Sequence, residues 1–168
     1  MVPSSSQEVA VLLPLMISLA TTLTTIVVHG VVLAAIVRFV LHEHRLGRTG
    51  IHFWRDVGIV ACATLLALAA HLLEITVWAG ALESCGEFTG FAAAFYHSAM
   101  NYTSLGYGDV VMSASWKLLG PLETANGMLM FGVSTGMIFT VIQRLFQTKY
   151  GEPSVASTPL PPADRAAA

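Results

Sequence analysis

"NYTSLGYGDVV" occupies residues 101–111. Two glycines flank a tyrosine and an aspartate follows directly. No helix favours this stretch, because glycine loses the most backbone freedom on ordering and brings no side chain to pack. Yet it sits between strongly apolar segments. Whether it is a surface turn or backbone held at membrane depth decides the fold.

Working outward, the chain has 168 residues, of which 55% are apolar and 11% charged. Its mean hydropathy is +0.70. A soluble domain carries about 25% charged residues, so this composition reads as a membrane protein. The net charge of −2 comes with no basic stripe, which removes the main reason to expect nucleic acid as a partner. One copy is too small to enclose a wide pathway, so transport would need several. "MVPSSSQE" has no Lys or Arg and does not read as the start of a secretory signal. Cys62 lies inside an apolar run and reads as a small packing residue. Cys85 lies beside polar residues, and a free thiol and an intersubunit bridge both stay open.

Four apolar blocks are visible. Residues 9–40 exceed what a roughly 30 Å hydrocarbon core requires, so this helix must tilt, bend near Pro14 or His29-Gly30, or project beyond the bilayer. Residues 41–56 are polar and basic, with Phe53, Trp54 and Arg55 suited to the headgroup level. Residues 57–82 form the second span. Residues 88–102 number only 15, too few to cross, and read as a buried or re-entrant half-helix. The glycine stretch follows at once, "SASW" makes a turn, and residues 117–147 form the third span. The expected organisation is a first helix and loop over 1–56, a pore module over 57–147, and a disordered Pro/Ser/Ala-rich tail over 148–168.

Lys and Arg near the span ends set orientation. Arg38, Arg45, Arg48 and Arg55 gather at the first loop, and Arg144 and Lys149 at the end of the third span. The opposite side has only Lys117, against Glu8, Glu83, Glu87 and Asp109. The N-terminus is therefore expected outside and the C-terminus in the cytoplasm of a multi-pass inner-membrane protein. The half-helix and its glycines then enter from outside.

Irregular backbone survives at membrane depth only where protein buries it or a watery path meets it. Gly106 and Gly108 permit angles that let successive carbonyls point one way, and rings of such oxygens would replace a cation's water shell. "TSLGYGD" resembles the signature filter of the tetrameric potassium channels, TVGYG followed by Asp. The likeness covers residues 57–147 as span, half-helix, filter and span, and Trp116 stands where many bacterial members have a Trp. It implies a homotetramer, so that each chain has three further copies as partners in the bilayer. It also implies potassium ions on the main-chain oxygens of Ser104, Leu105, Gly106, Tyr107 and Gly108, with the Ser104 hydroxyl as the innermost ring and no other cofactor. Thr103 would end the half-helix, Tyr107 would pack behind the filter, and Asp109 would gather cations at the outer mouth and hydrogen-bond the half-helix. Ser104 and Leu105 depart from the usual Thr and Val or Ile. Tyr96 and His97 replace two Trp of several bacterial members, and Met100 replaces a bracing Glu, so the bracing must differ.

Ionisable residues within spans are costly and are functional candidates by default. His71 and Glu74 stand three apart on one helix face, as do Glu123 and Asn126. Both pairs lie on the order of 10 Å from the outer ends at helical rise. They are expected to form one network behind the filter, joined by His97, with the two carboxylates sharing a proton. A structural clamp and a proton-sensitive gate are both open readings. A metal site is disfavoured, since His-x-x-Glu lacks the spacing that puts two His on one face. His29 is expected to face a neighbouring helix. His42, His44 and His52 read as solvated loop residues. Gly127, Gly132 and Gly136 on the third span are hinge candidates, with packing as the alternative. Met130, Ser134, Thr135 and Ile138 are candidates to line a cavity.

The fold class is thus an all-α membrane protein with three transmembrane helices, a re-entrant pore helix and a selectivity-filter loop per subunit. The expected function is passive, potassium-selective conduction. The alternatives are a weakly selective cation channel and a non-conducting membrane partner of the same fold. A membrane enzyme built on His71 and Glu74 would lack a nucleophile, and no arginine series marks a voltage sensor.

Overall fold

The computed structural model describes residues 5–50 and 52–150. It holds four helices: α1 (Ser5–Arg45), α2 (Phe53–Ser84), α3 (Phe91–Tyr102) and α4 (Leu119–Tyr150). The described residues contain no strand paired in a β-sheet. Three of the helices are long and apolar enough to cross a membrane, and α3, at 12 residues or about 18 Å, is not. The architecture is all-α and of membrane type, as the hydropathy implies. Most of the expected tail, from residue 151, lies outside the described residues.

Helix α1 runs 41 residues through Pro14 and through His29-Gly30 without ending. Its polar run survives in an apolar setting because hydroxyls return to the helix's own carbonyls. Ser18 donates to Leu15 (2.9 Å), Thr21 to Ile17 (2.8 Å) and Thr25 to Thr22 (2.8 Å). Helix α2 begins at Phe53, four residues before the expected span, leaving a short connection over 46–52. The Asp56 carboxylate in its first turn accepts the Gly50 N–H at 2.9 Å and anchors that connection. Helix α3 begins at Phe91 and α4 at Leu119, each a few residues later than the apolar runs suggest.

Packing falls into two apolar ends and a polar belt. At the loop end, Ile36 and Val40 of α1 meet Ile59, Ala63 and Ala67 of α2 and Val141 and Leu145 of α4. At the other end, Ile75, Trp78 and Leu82 of α2 close on Tyr102, Leu119 and Met130. Between them lie His29, His71, Glu74 and Ser134, all buried. The outward faces stay apolar: Leu12, Met16, Leu19, Val27 and Val31 of α1, and Leu129, Val133 and Phe139 of α4, are exposed. Such faces suit lipid or further copies rather than water.

Candidate functional site

Helix α3 ends at Tyr102, and the chain doubles back on its last turn. The Thr103 N–H reaches the Ala99 carbonyl (3.1 Å), Ser104 reaches Asn101 (2.9 Å), and Leu105 (2.9 Å) and Gly106 (3.2 Å) both reach Met100. The amides of these residues therefore face α3. Left-handed φ then appears at every second residue, 61° at Ser104, 50° at Gly106 and 73° at Gly108, while Leu105 and Tyr107 keep negative φ. Such alternation turns successive carbonyls to one side, whereas a strand alternates them. Gly106 and Gly108 adopt these angles freely, but Ser104 carries a Cβ there at a cost of about 1–2 kcal/mol. Among the described residues no group donates to the carbonyls of residues 104–108. Residues 103–109 are exposed, with Tyr107 at 69%.

The far end of this strand is tied down by side chains. The Tyr96 hydroxyl of α3 donates to Asp109 (2.8 Å), so the half-helix does hold the aspartate. His97 pairs with the Asn101 amide (2.9 Å), stacks near Phe88 (5.0 Å) and meets the Val110 backbone. Met100 contributes its carbonyl, not its side chain. The Glu87 carboxylate accepts the Ser113 N–H (2.8 Å) and hydroxyl (2.6 Å), clipping the segment after the strand to the end of α2. This clip was invisible in sequence, where Glu87 reads as one more loop charge. Beside it, burial and then the Glu87 charge push the Cys85 thiol up. Cys62 and Cys85 are both free within the chain. A cleft of about 590 Å³ opens beside the strand, lined by Tyr96, Met100, Tyr107, Val111 and Pro121 among others.

The expected single network is two. In one, Glu74 accepts from His29 Nδ1 at 2.6 Å and from the Tyr102 hydroxyl, with His71 Nδ1 at 3.3 Å. Ser134 Oγ stands 3.1 Å from Nε2 of both His29 and His71. In the other, Glu123 accepts from the Ser98 hydroxyl, with the Asn101 amide at 3.5 Å. Glu74 and Glu123 have no hydrogen-bond partner in common, so the shared proton is not supported. His97 joins Glu123 only through Asn101. Asn126 belongs to neither: its amide donates to Thr25 on α1 (2.9 Å), and its Oδ1 has no partner among the described residues. His29 does face a neighbouring helix, and its place at the centre of the first network is what spacing along the chain could not give.

Helix α4 closes on α3 at Gly127, where a Cβ would run into the Tyr102 carbonyl. Gly127 is thus a close-packing glycine, while Gly132 and Gly136 meet nothing within 4 Å. Thr124 reinforces the contact by donating to the Asn101 carbonyl (2.8 Å). Met130 and Ser134 point into the chain's own interior rather than lining a cavity on its surface, and Thr135 is exposed.

His29, His71 and Glu74 bring ligand-type atoms within 4.8 Å of one another. The 2.6 Å His29–Glu74 contact is a hydrogen bond. Two atoms sharing a tetrahedral ion at about 2.1 Å would stand about 3.4 Å apart.

Residues 67–144 match the family model described as "ion channel". This part of the chain is similar to the ion channel family. The match runs from within α2 through α3 and the glycine strand into α4, so it contains the whole exposed strand and both carboxylates. Helix α1 lies outside the matched residues. No curated protein and no solved structure matches the chain.

Proposed function

We propose that the protein is a potassium-selective channel in which four copies surround an axis lined by residues 103–108. The observation that carries this reading is the alternating φ at Ser104, Gly106 and Gly108 together with carbonyls that no donor among the described residues satisfies. Bare main-chain oxygens at membrane depth require a partner. A dehydrated K⁺ held by Ser104, Leu105, Gly106 and Tyr107 of each copy supplies one. The C-terminal end of α3 adds its partial negative charge below the strand. Asp109, fixed by Tyr96, sits at the outer mouth and concentrates cations, and Gly132 and Gly136 on the open face of α4 are the hinge candidates. The distribution of arginines supports an inner-membrane protein with the N-terminus outside and the C-terminus in the cytoplasm.

The test is K⁺ flux from purified protein in liposomes, with Gly106→Asp as control. Flux in the parent and none in the variant is the expected result; equal flux in both rejects the reading. A weakly selective cation channel is the second reading, favoured by Ser104, whose strained φ lacks the threonine methyl that stiffens a side chain. Reversal potentials under K⁺ and Na⁺ gradients separate the two.

A further inference from the structure

Helix α1 is outside the ion channel match, yet it supplies His29 to Glu74, a fully buried carboxylate within the matched residues. Counting protons in that cluster shows what it holds. Three donors aim at one carboxylate: His29 Nδ1, the Tyr102 hydroxyl and His71 Nδ1. Convergence of donors favours an ionised Glu74. A neutral His29 carries its proton on Nδ1, so its Nε2 is an acceptor and takes the single proton of Ser134. Ser134 has no second proton to give, so it accepts from His71, whose Nε2 must be N–H. If His71 were neutral, its Nδ1 would be a bare lone pair 3.3 Å from Glu74 Oε2. The Tyr102 hydroxyl also lies 3.3 Å from that nitrogen, but its one proton goes to Glu74. Every contact is satisfied only with one further proton, on His71 Nδ1 or, with the Ser134 proton turned to His71, on His29 Nε2. That proton also neutralises Glu74, whose lone charge among apolar helices would be costly.

We propose that the ring of His29, Glu74, His71 and Ser134 holds one imidazolium, and that this one proton joins α1 to the filter, making His29 and His71 positioning residues for conduction. The route is short: Tyr102 is the last residue of α3, two before Ser104, and Ser134 lies between Gly132 and Gly136 on α4. The titratable groups facing the proton are His29 from α1, His71 and Glu74 from α2 and Tyr102 from α3, with Glu123 of α4 acting on Tyr102 from beyond. No Lys or Arg pairs with Glu74 among the described residues. The Phe131 ring, 4.2 Å from His71, screens it on another side. When pH rises far enough to remove the proton, Glu74 is left uncompensated and two lone pairs oppose each other. The ring opens, Tyr102 and Ser134 lose their fixed partners, and conduction falls.

The conductive part of this inference rests on the proposed channel function, so two readouts are needed. The first is the ring ¹⁵N spectrum of histidine-labelled protein in bilayers over roughly pH 5–9. The expected result is one of these two buried histidines protonated on both nitrogens at neutral pH, a signal absent when both are replaced by Asn. Two buried neutral histidines throughout would overturn the proposal, as would a spectrum that changes on adding a chelator, which would assign the cluster to a metal. The second is K⁺ flux against pH. Flux should fall by at most about tenfold per pH unit as the single proton leaves, should stay within about twofold over the same range in Ser134→Ala, and should recover the parent profile in Ser134→Thr. Superimposable profiles for the parent, Ser134→Ala and Glu74→Gln would overturn it. If Gly106→Asp fails to abolish flux, the channel reading fails while the ¹⁵N spectrum still decides the protonation of the two histidines.

Discussion

At the end of α3, the carbonyls of residues 104–108 face outward with no donor among the described residues. Where α1, α2 and α4 meet, all four ring nitrogens of His29 and His71 have a partner at 3.3 Å or less, and Glu74 is fully buried. The first region is main chain, exposed and incomplete; the second is side chain, buried and complete. A site whose polar atoms are unfilled is made to be finished from outside the chain. A site whose polar atoms are all filled holds the chain together. Mutations should therefore separate the two, with lost flux but retained folding in the strand, and lost folding in the belt.

The largest expected effect is at Gly106. Gly106→Ala puts a Cβ at φ 50° in otherwise open space, so flux should vanish while the melting temperature in detergent changes little. A folding defect as large as the flux defect would break the comparison. Next is Glu74→Ala, which leaves three donors in the belt without an acceptor. It should destabilise the fold by about 3–5 kcal/mol, read as a lowered melting temperature. Gly127→Ala should cost about 1–3 kcal/mol, because its Cβ meets the Tyr102 carbonyl and two helices must part. Gly132→Ala, with open space around it, serves as its neutral partner on the same helix. Tyr96→Phe removes one exposed hydrogen bond to Asp109 and should cost about 1 kcal/mol or less, with a measurable change in K⁺/Na⁺ reversal potential. The smallest effect concerns reactivity. With its thiol held up by burial and by Glu87, Cys85 should react slowly with maleimide at neutral pH, and faster in Glu87→Gln.

Sequence revealed the strand far better than the belt, for a physical reason. Spans, half-helix and glycine turn are contiguous in the chain, and length against bilayer thickness reads them directly. His71 and Glu74 were also legible, since three residues apart on a helix means one face. But His29 lies 45 positions before Glu74, and Asn126 lies 101 after Thr25. Contacts between helices depend on how each is rotated about its axis, which apolar runs on all faces leave undetermined. Ser98, Tyr102 and Ser134 were passed over as bonding partners because hydroxyls in apolar helices usually return to their own backbone, as those of α1 do. Placing Glu74 and Glu123 at similar depth led to the expectation of one network. Depth alone does not bring them together, since each meets a different residue of α3, Tyr102 for Glu74 and Ser98 for Glu123.

The seam between Gly127 and the Tyr102 carbonyl has a mechanical consequence. Backbone lies against backbone there, and the Thr124 hydroxyl rivets the same place, so α4 has no freedom to swivel at its N-terminal end without dislodging the end of α3. Any swing of α4 must be made by its length beyond residue 127, moving as a lever from a fixed mount.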